Sequence, residues 1–103
     1  MMTREEHFDR GMDHFVEDRL EEAIGEFEKA VAIDAGFGDA LHALAMSHYH
    51  LSNVDEAIRW GEVLREAEPD NIHAYTSLSM FYNAKGFIQK AEEMGAKAAQ
   101  LAD

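Results

Sequence analysis

The chain has 103 residues, a formal net charge of −12 and 47% apolar residues, which predicts one compact domain with enough apolar side chains for a core. It contains no cysteine, so a disulfide framework, a thiol nucleophile and a cysteine-ligated zinc site are excluded. No apolar run reaches the ~18 residues that a membrane-spanning helix needs. The acidic start lacks the basic segment and apolar stretch of a secretory signal, and we therefore expect a cytoplasmic protein.

The charge is unevenly distributed along the chain. Residues 4–37 carry 11 acidic and 4 basic side chains, residues 38–71 carry 7 and 2, and residues 72–103 carry 3 of each. An acidic surface repels nucleic-acid phosphate and anionic lipid and favours basic partners, although much of this charge also keeps the surface hydrated. We expect a protein or peptide partner, and neither a nucleic acid nor a membrane.

A 34-residue period runs through the whole chain. It relates Ala23, Ala57 and Ala91. The same spacing relates three small residues, Gly11, Ala45 and Ser79, and three branched aliphatic residues, Leu20, Val54 and Ile88. Such a period is typical of helical-hairpin repeats. Small residues at equivalent places would let two antiparallel helices approach closely, and each hairpin would bury its apolar stripe with help from its neighbour.

The elements follow in chain order. The stripe Leu20, Ile24, Phe27 and Val31 has helical spacing, and no strand pattern competes with it. Ser52, three residues before Asp55, is a plausible helix cap. Glycine in Lys85-Gly86-Phe87 is placed to end a helix, and segments 34–38 and 68–71 separate the hairpins. The pattern predicts six helices, near residues 4–16, 20–33, 38–51, 54–67, 72–84 and 88–101.

These residues resemble the tetratricopeptide repeat family. The residues that carry the resemblance are Gly11, Ala23, Phe27 and Ala30, then Leu41, Leu44, Ala45, Ala57 and Pro69, and finally Tyr75, Leu78, Ser79, Tyr82, Ala91 and Ala98. The resemblance implies an all-α fold, a right-handed superhelical array of three helix-turn-helix hairpins in one domain over residues 4–103, with repeats 4–37, 38–71 and 72–103. The first unit departs from the family pattern because it has the polar residues His7, Arg10 and His14. The second and third units depart from it because Gly61 and Gly95 stand where the family has an aromatic residue.

The resemblance also implies a concave groove lined by the first helix of each hairpin. In this sequence the groove residues would be Glu5, Phe8, Met12, Phe15, Asp39, His42, Met46, Tyr49, His50, His73 and Met80. The spacing supports part of this set independently, because Phe8, Met12 and Phe15 share one apolar helix face. Methionine recurs at Met12, Met46 and Met80, which suits either an adaptable binding surface or a core stripe.

These observations predict a protein–protein interaction module, an adaptor or a chaperone-like protein, that binds a peptide or helix in an apolar groove with acidic surroundings. The family's best-known ligand is the acidic tail of large heat-shock chaperones, which is held by lysine, arginine and asparagine. The corresponding residues here are Phe8, Met12, Ala43, His73 and Ser77, which argues against such tails. We expect a peptide with apolar anchors and basic flanks, attracted by Glu5 and Asp39.

Several alternatives stay open. The alanine-rich face of the last helix, with Ala91, Ala98, Ala99 and Ala102, could pair two copies in a homodimer or a self-assembling scaffold. A secretion-type chaperone and soft-metal binding through His42, Met46 and His50 are further candidates, and the groove histidines could confer pH sensitivity. The sequence has no nucleophile elbow, phosphate-binding glycine loop or HExxH motif. We therefore expect no enzyme, catalytic residue, metal or cofactor.

Overall fold

The computed structural model describes all 103 residues and contains six α-helices and no strand. The helices are α1 (Arg4–Val16), α2 (Leu20–Ile33), α3 (Gly38–His50), α4 (Val54–Ala67), α5 (Ile72–Lys85) and α6 (Ile88–Ala102). The predicted all-α fold is confirmed, and every predicted helix boundary lies within one residue of the observed one. None of the six helices combines the length and apolar character needed to cross a bilayer.

The helices form three hairpins, α1–α2, α3–α4 and α5–α6, that stack in chain order. Helix α2 packs on α3 and α4 packs on α5, while contacts between distant helices are few. The result is an elongated superhelical array that measures 43 × 25 × 19 Å. Because each hairpin is covered only by its neighbours, the core forms three apolar clusters distributed along the stack.

Small residues bring the helices together, as their spacing predicts. A Cβ atom at Gly11 would overlap the Phe27 ring, so glycine is needed there for α1 to lie against α2. A Cβ atom at Gly61 would lie 2.8 Å from Cδ2 of Leu78, which comes from the next hairpin. Ala57 is fully buried. The glycine at residue 61 therefore makes room for a neighbouring hairpin where the family pattern has an aromatic ring.

The turn inside each hairpin contains one residue with left-handed backbone conformation. Asp18, Ser52 and Gly86 have φ angles of 61°, 64° and 87°, and they are 34 residues apart. The predicted helix end at Gly86 is confirmed. The predicted capping role of Ser52 is wrong: Ser52 lies in the left-handed turn, and Asn53, the residue that precedes α4, makes no side-chain capping hydrogen bond.

A capping box does occur at the start of α1, where sequence analysis missed it. The Thr3 hydroxyl accepts a hydrogen bond from the Glu6 amide, and the Glu6 carboxylate accepts one from the Thr3 amide. The signal was present in the sequence, as a threonine followed three residues later by a glutamate.

The polar residues of the first hairpin are accommodated by an ion-pair cluster. Nδ1 of His7 lies 2.8 Å from Oε1 of the buried Glu26, and Lys29 Nζ lies 3.4 Å from its other oxygen. The hydrogen bond with His7 and the nearby Lys29 and Arg10 hold the pKa of Glu26 below its usual range despite burial. A buried carboxylate thus has partners where other hairpins use apolar contacts.

Candidate functional site

An apolar pocket opens between α1 and α3, which we call the anchor pocket. It has a volume of about 270 Å³ and is lined by Phe8, Met12, Phe15, Asp39, His42, Ala43 and Met46. Its aromatic and methionine side chains are half-buried, so they pack on the core and still present a surface. The Phe8 ring is held between Phe27 and Phe37, at centroid distances of 5.7 and 5.5 Å, which fixes one wall of the pocket.

One side of the anchor pocket is polar. Nε2 of His42 lies 3.2 Å from the Ser77 hydroxyl, and the His42 and His73 ring centroids are 5.8 Å apart. Burial, and secondarily the neighbouring His73, lower the pKa of His42, while Asp39 opposes this shift. Asp39 itself is exposed. The pocket therefore combines apolar walls with one free carboxylate and an imidazole that is neutral at pH 7.

A second, wider groove lies between α5 and α6. It has a volume of about 710 Å³ and is lined by Tyr49, Thr76, Ser79, Met80, Asn83, Ala84, Gly95 and Ala98. Tyr49 turns towards this side because its ring packs on Phe81, with a centroid distance of 5.1 Å. Two of the groove residues expected from the sequence, Tyr49 and Met80, thus lie here and do not line the anchor pocket.

The structure separates the remaining expected groove residues. His50 is exposed, lies edge-on to Phe15 with a ring-centroid distance of 5.7 Å, and lines a small pocket with Asp18 and Leu20. Glu5 lines neither the anchor pocket nor the wider groove, and its carboxylate pairs with Arg4 Nε at 2.6 Å. No group of three or more His, Cys, Asp or Glu side chains is placed to hold a metal ion.

The sequence did not lead us to expect that the second helix of a hairpin also lines these surfaces. Gly95 and Ala98 of α6 line the wider groove, whereas the expected groove residues all came from α1, α3 and α5. Their small side chains were the available signal, since only small residues leave a groove open beside a helix.

Comparisons with known proteins agree with this architecture. The tetratricopeptide repeat family matches residues 15–80, which is more than half of the chain. A crystal structure of MamA superimposes with a TM-score of 0.94 at 26% identity, over 97% of this chain and 58% of the MamA chain. This chain therefore spans little more than half the length of MamA. No curated protein sequence matches the chain.

Two further structures share the fold at lower identity. The second repeat domain of Spaghetti (RPAP3), bound to the HSP90 peptide SRMEEVD, matches at 18% identity with a TM-score of 0.92, over 97% of this chain and 93% of that one. YrrB, described as a protein of this class with an unusual peptide-binding site, matches at 21% identity with a TM-score of 0.90, over 98% of this chain and 52% of that one. Because the family match extends over residues 15–80, the chain belongs to the tetratricopeptide repeat family, whose members are protein-interaction modules and not enzymes.

Proposed function

We propose that this protein is an adaptor or chaperone-like module that binds a peptide segment across its concave face. An apolar side chain of the peptide enters the anchor pocket, and a basic residue beside it pairs with Asp39. The proposal treats residues 4–103 as one domain with repeats 4–37, 38–71 and 72–103. The single observation that carries it is the half-buried apolar pocket between α1 and α3 with one free carboxylate at its edge.

The size of the anchor pocket favours a single anchoring side chain. Its volume of about 270 Å³ falls just below the range of ~300–1,000 Å³ that is usual for whole small-molecule ligands. Met12 of α1 and Met46 of α3 both line it. Because methionine is flexible and polarizable, the pocket can adapt to leucine, methionine or phenylalanine anchors.

Charge favours a basic flank and disfavours acidic tails. The two repeats that form the anchor pocket, residues 4–37 and 38–71, carry the whole net charge of −12. The groups beside the pocket are the Asp39 carboxylate and the neutral His42 imidazole, and the Ser77 hydroxyl is engaged by His42. The HSP90 peptide bound by Spaghetti is acidic. A carboxylate-rich peptide of that kind would meet a repulsive surface here.

The test is a titration with two matched peptides by isothermal calorimetry. Both carry one central leucine, which is flanked by two lysines in one peptide and by two glutamates in the other. We expect the lysine peptide to bind and the glutamate peptide to bind at least about tenfold more weakly. Equal affinities would remove the proposed role of Asp39 and of the acidic surroundings.

Substitutions locate the binding site. Met46→Glu puts a charge inside the anchor pocket, and we expect it to abolish measurable binding of the lysine peptide because the anchor would have to desolvate that carboxylate. The matched control is Ile33→Glu, which adds the same charge at an exposed apolar residue of α2. If Met46→Glu binds as well as the control, the anchor lies elsewhere.

A second candidate is self-assembly through α6. Ala99 and Ala102 of this helix are exposed, but Ala91 is buried in the core and is not available to a partner. The exposed alanines alternate with Lys97 and Gln100, so the face is only partly apolar. Light scattering over a range of concentrations distinguishes this candidate, because a protein that stays monomeric excludes the scaffold and the homodimer.

A further inference from the structure

We propose that the anchor pocket of one copy of this chain binds the turn between α5 and α6 of a second copy, with Phe87 as the anchoring side chain and Lys90 as the basic flank. The inference rests on the proposed function, because it uses the same pocket and names its partner. Phe87 and Lys90 lie on one shallow surface with Ile88, Gln89 and Glu93. Since the pocket and this turn are different surfaces, the copies associate head to tail.

The exposed apolar residues of the chain differ in their charged neighbours. Within the helices and their turns, the large apolar side chains that are exposed are Val16, Ile33, Ile72, Met80, Phe87 and Ile88. An acidic residue directly follows each of the first two, and no lysine or arginine stands within three residues of the next two. Only Phe87 and Ile88 lie between two lysines, Lys85 and Lys90. This turn therefore carries an apolar anchor with basic flanks, which is the chemistry that suits the anchor pocket.

The repeat shows that the charge of this turn is reversed. Residues 17–22 carry four acidic residues and one arginine, residues 51–56 carry two acidic residues and no basic one, and residues 85–90 carry two lysines and no acidic residue. The three equivalent segments thus have net charges of −3, −2 and +2. Residues 4–71, which form the pocket, carry the whole net charge of −12. Opposite charges at the pocket and at the turn favour this contact and orient it.

The exposure of Phe87 is a property of its place in the repeat. The equivalent residues of the first and second hairpins, Arg19 and Asn53, are exposed although another hairpin follows each of them. Leu20, the equivalent of Ile88, is buried. A further helix packed after α6 would therefore leave Phe87 accessible, and this is why we assign Phe87 as the anchor rather than its neighbour.

The fold fixes the position of Phe87 before any contact is made. Gly86, directly before it, has a φ angle of 87° and ends α5. One face of the Phe87 ring stacks on Tyr82, with a centroid distance of 6.3 Å and an interplanar angle of 30°, yet the residue is 53% exposed. A side chain that is already held in place loses little conformational freedom on binding.

Lys90 is the cation of this turn that is available to a second copy. It is exposed, and its Nζ lies 5.8 Å from the centroid of the Tyr82 ring. Lys85 differs, because its Nζ pairs with Oδ1 of Asp55 at 2.8 Å. The exposed carboxylate beside the anchor pocket is that of Asp39. We therefore pair Lys90 of one copy with Asp39 of the other.

The test is sedimentation velocity of two variants, alone and mixed. Met46→Glu blocks the pocket, and Phe87→Glu removes the anchor. One turn buries less than the ~1,000 Å² of a stable interface, so the measurements extend to about 1 mM chain. We expect concentration-dependent oligomers of the unmodified chain, monomers of each variant alone, and a dimer that does not grow in the equimolar mixture. A monomeric mixture, or an unmodified chain that stays monomeric, overturns the proposal.

The matched control is Ile33→Glu. It makes the same substitution at an apolar residue that is 54% exposed, close to the 53% of Phe87, and it lies outside the pocket and the turn. This variant should assemble like the unmodified chain. Circular dichroism checks that all variants stay folded. Oligomers that persist in both Met46→Glu and Phe87→Glu would use another surface, such as α6, and would overturn the proposal.

A charge exchange in the mixed dimer tests the proposed ion pair. Lys90→Glu, in the chain that supplies the turn, should weaken the dimer at least about fivefold. Asp39→Lys, in the chain that supplies the pocket, should restore most of this loss. A loss that Asp39→Lys does not restore would overturn the proposed orientation of the turn.

The lysine peptide distinguishes failure of this inference from failure of the proposed function. We expect the peptide to dissociate the oligomers, because it competes for the same pocket. If the peptide binds while the chain alone stays monomeric up to about 1 mM, the pocket is correctly assigned and the second copy is the wrong partner. If the peptide does not bind and the chain is monomeric, the proposed function and this inference both fail.

Discussion

The rings of His42 and His73 lie 5.8 Å apart at the edge of the anchor pocket, although the two residues belong to different hairpins. Burial lowers the pKa of His42, so this imidazole is neutral at pH 7 and gains a proton only on acidification. The added positive charge beside Asp39 would repel a basic flank. We expect affinity for the lysine peptide to fall several-fold between about pH 7 and about pH 5.5, as measured by calorimetry.

His42→Gln is the control for this pH dependence. Glutamine keeps a side-chain amide that can bond to the Ser77 hydroxyl but does not titrate in this range. The variant should bind the lysine peptide with nearly constant affinity over the same pH interval. A flat profile for the unmodified chain would contradict the assignment of His42 as the titrating group.

His48 is a buried histidine whose two ring nitrogens have no hydrogen-bond partner. An unsatisfied buried polar group costs about 1–3 kcal/mol, and the family pattern places an aromatic residue here. We expect His48→Phe to raise the free energy of unfolding by about 1 kcal/mol at pH 7 in urea titrations. His14→Phe is the matched control, since His14 is the equivalent residue 34 positions earlier but accepts a hydrogen bond from Arg19 Nε at 3.1 Å. It should change stability less.

The stability difference at His48 should also depend on pH. Burial lowers the pKa of His48 in the folded chain below the 6.5 of an ordinary histidine. The unfolded chain therefore takes up a proton first, and the stability that His48 contributes is present above pH 6.5 and is lost as the pH falls through the folded-state pKa. Phenylalanine does not titrate. The gain in the free energy of unfolding that His48→Phe produces should therefore increase from pH 7 to pH 5. A gain that stays constant over this interval would contradict this account.

The helices and the α1 wall of the anchor pocket could be predicted because they depend on local spacing. Phe8, Met12 and Phe15 share one face of a single helix, whatever packs against it. The placement of Tyr49 could not be predicted in this way, because it depends on Phe81, which lies 32 residues further along the chain and in another hairpin. The left-handed conformation of Ser52 was also missed, since serine gives no sign of it without the alignment to Gly86.

The three left-handed turn residues should differ in their effect on stability. A left-handed conformation costs a residue with a Cβ atom about 1–2 kcal/mol, and asparagine and aspartate tolerate it better than serine. We expect Ser52→Gly to raise the free energy of unfolding by about 0.5 kcal/mol, after the greater conformational entropy of glycine in the unfolded chain is subtracted. Asp18→Gly should raise the free energy of unfolding less. Gly86→Ala should lower it by about 1 kcal/mol. Chemical denaturation measures all three. If Ser52→Ala stabilised the chain as much as Ser52→Gly, the backbone explanation would fail.

Gly25 and Gly61 lie on the second helices of consecutive hairpins and should respond to alanine in opposite directions. At Gly25 a Cβ atom meets nothing within 4 Å, so Gly25→Ala should raise the free energy of unfolding by about 0.5–1 kcal/mol through helix propensity alone. At Gly61 the same atom would press on Cδ2 of the fully buried Leu78. Overpacking costs about 1–3 kcal/mol, so Gly61→Ala should lower the free energy of unfolding.

The double variant Gly61→Ala with Leu78→Ala identifies the cause. If the steric contact is responsible, alanine at residue 61 should become stabilising once the Leu78 side chain has been shortened, as at Gly25, and a double-mutant cycle would give a coupling of about 1 kcal/mol or more. Additive effects of the two substitutions would show that the loss does not come from Leu78. Hydrogen exchange of Gly61→Ala should show whether the lost stability lies within α4 or at the contact between α4 and α5. Only a defect in that contact would increase the exchange of α5 and α6 together.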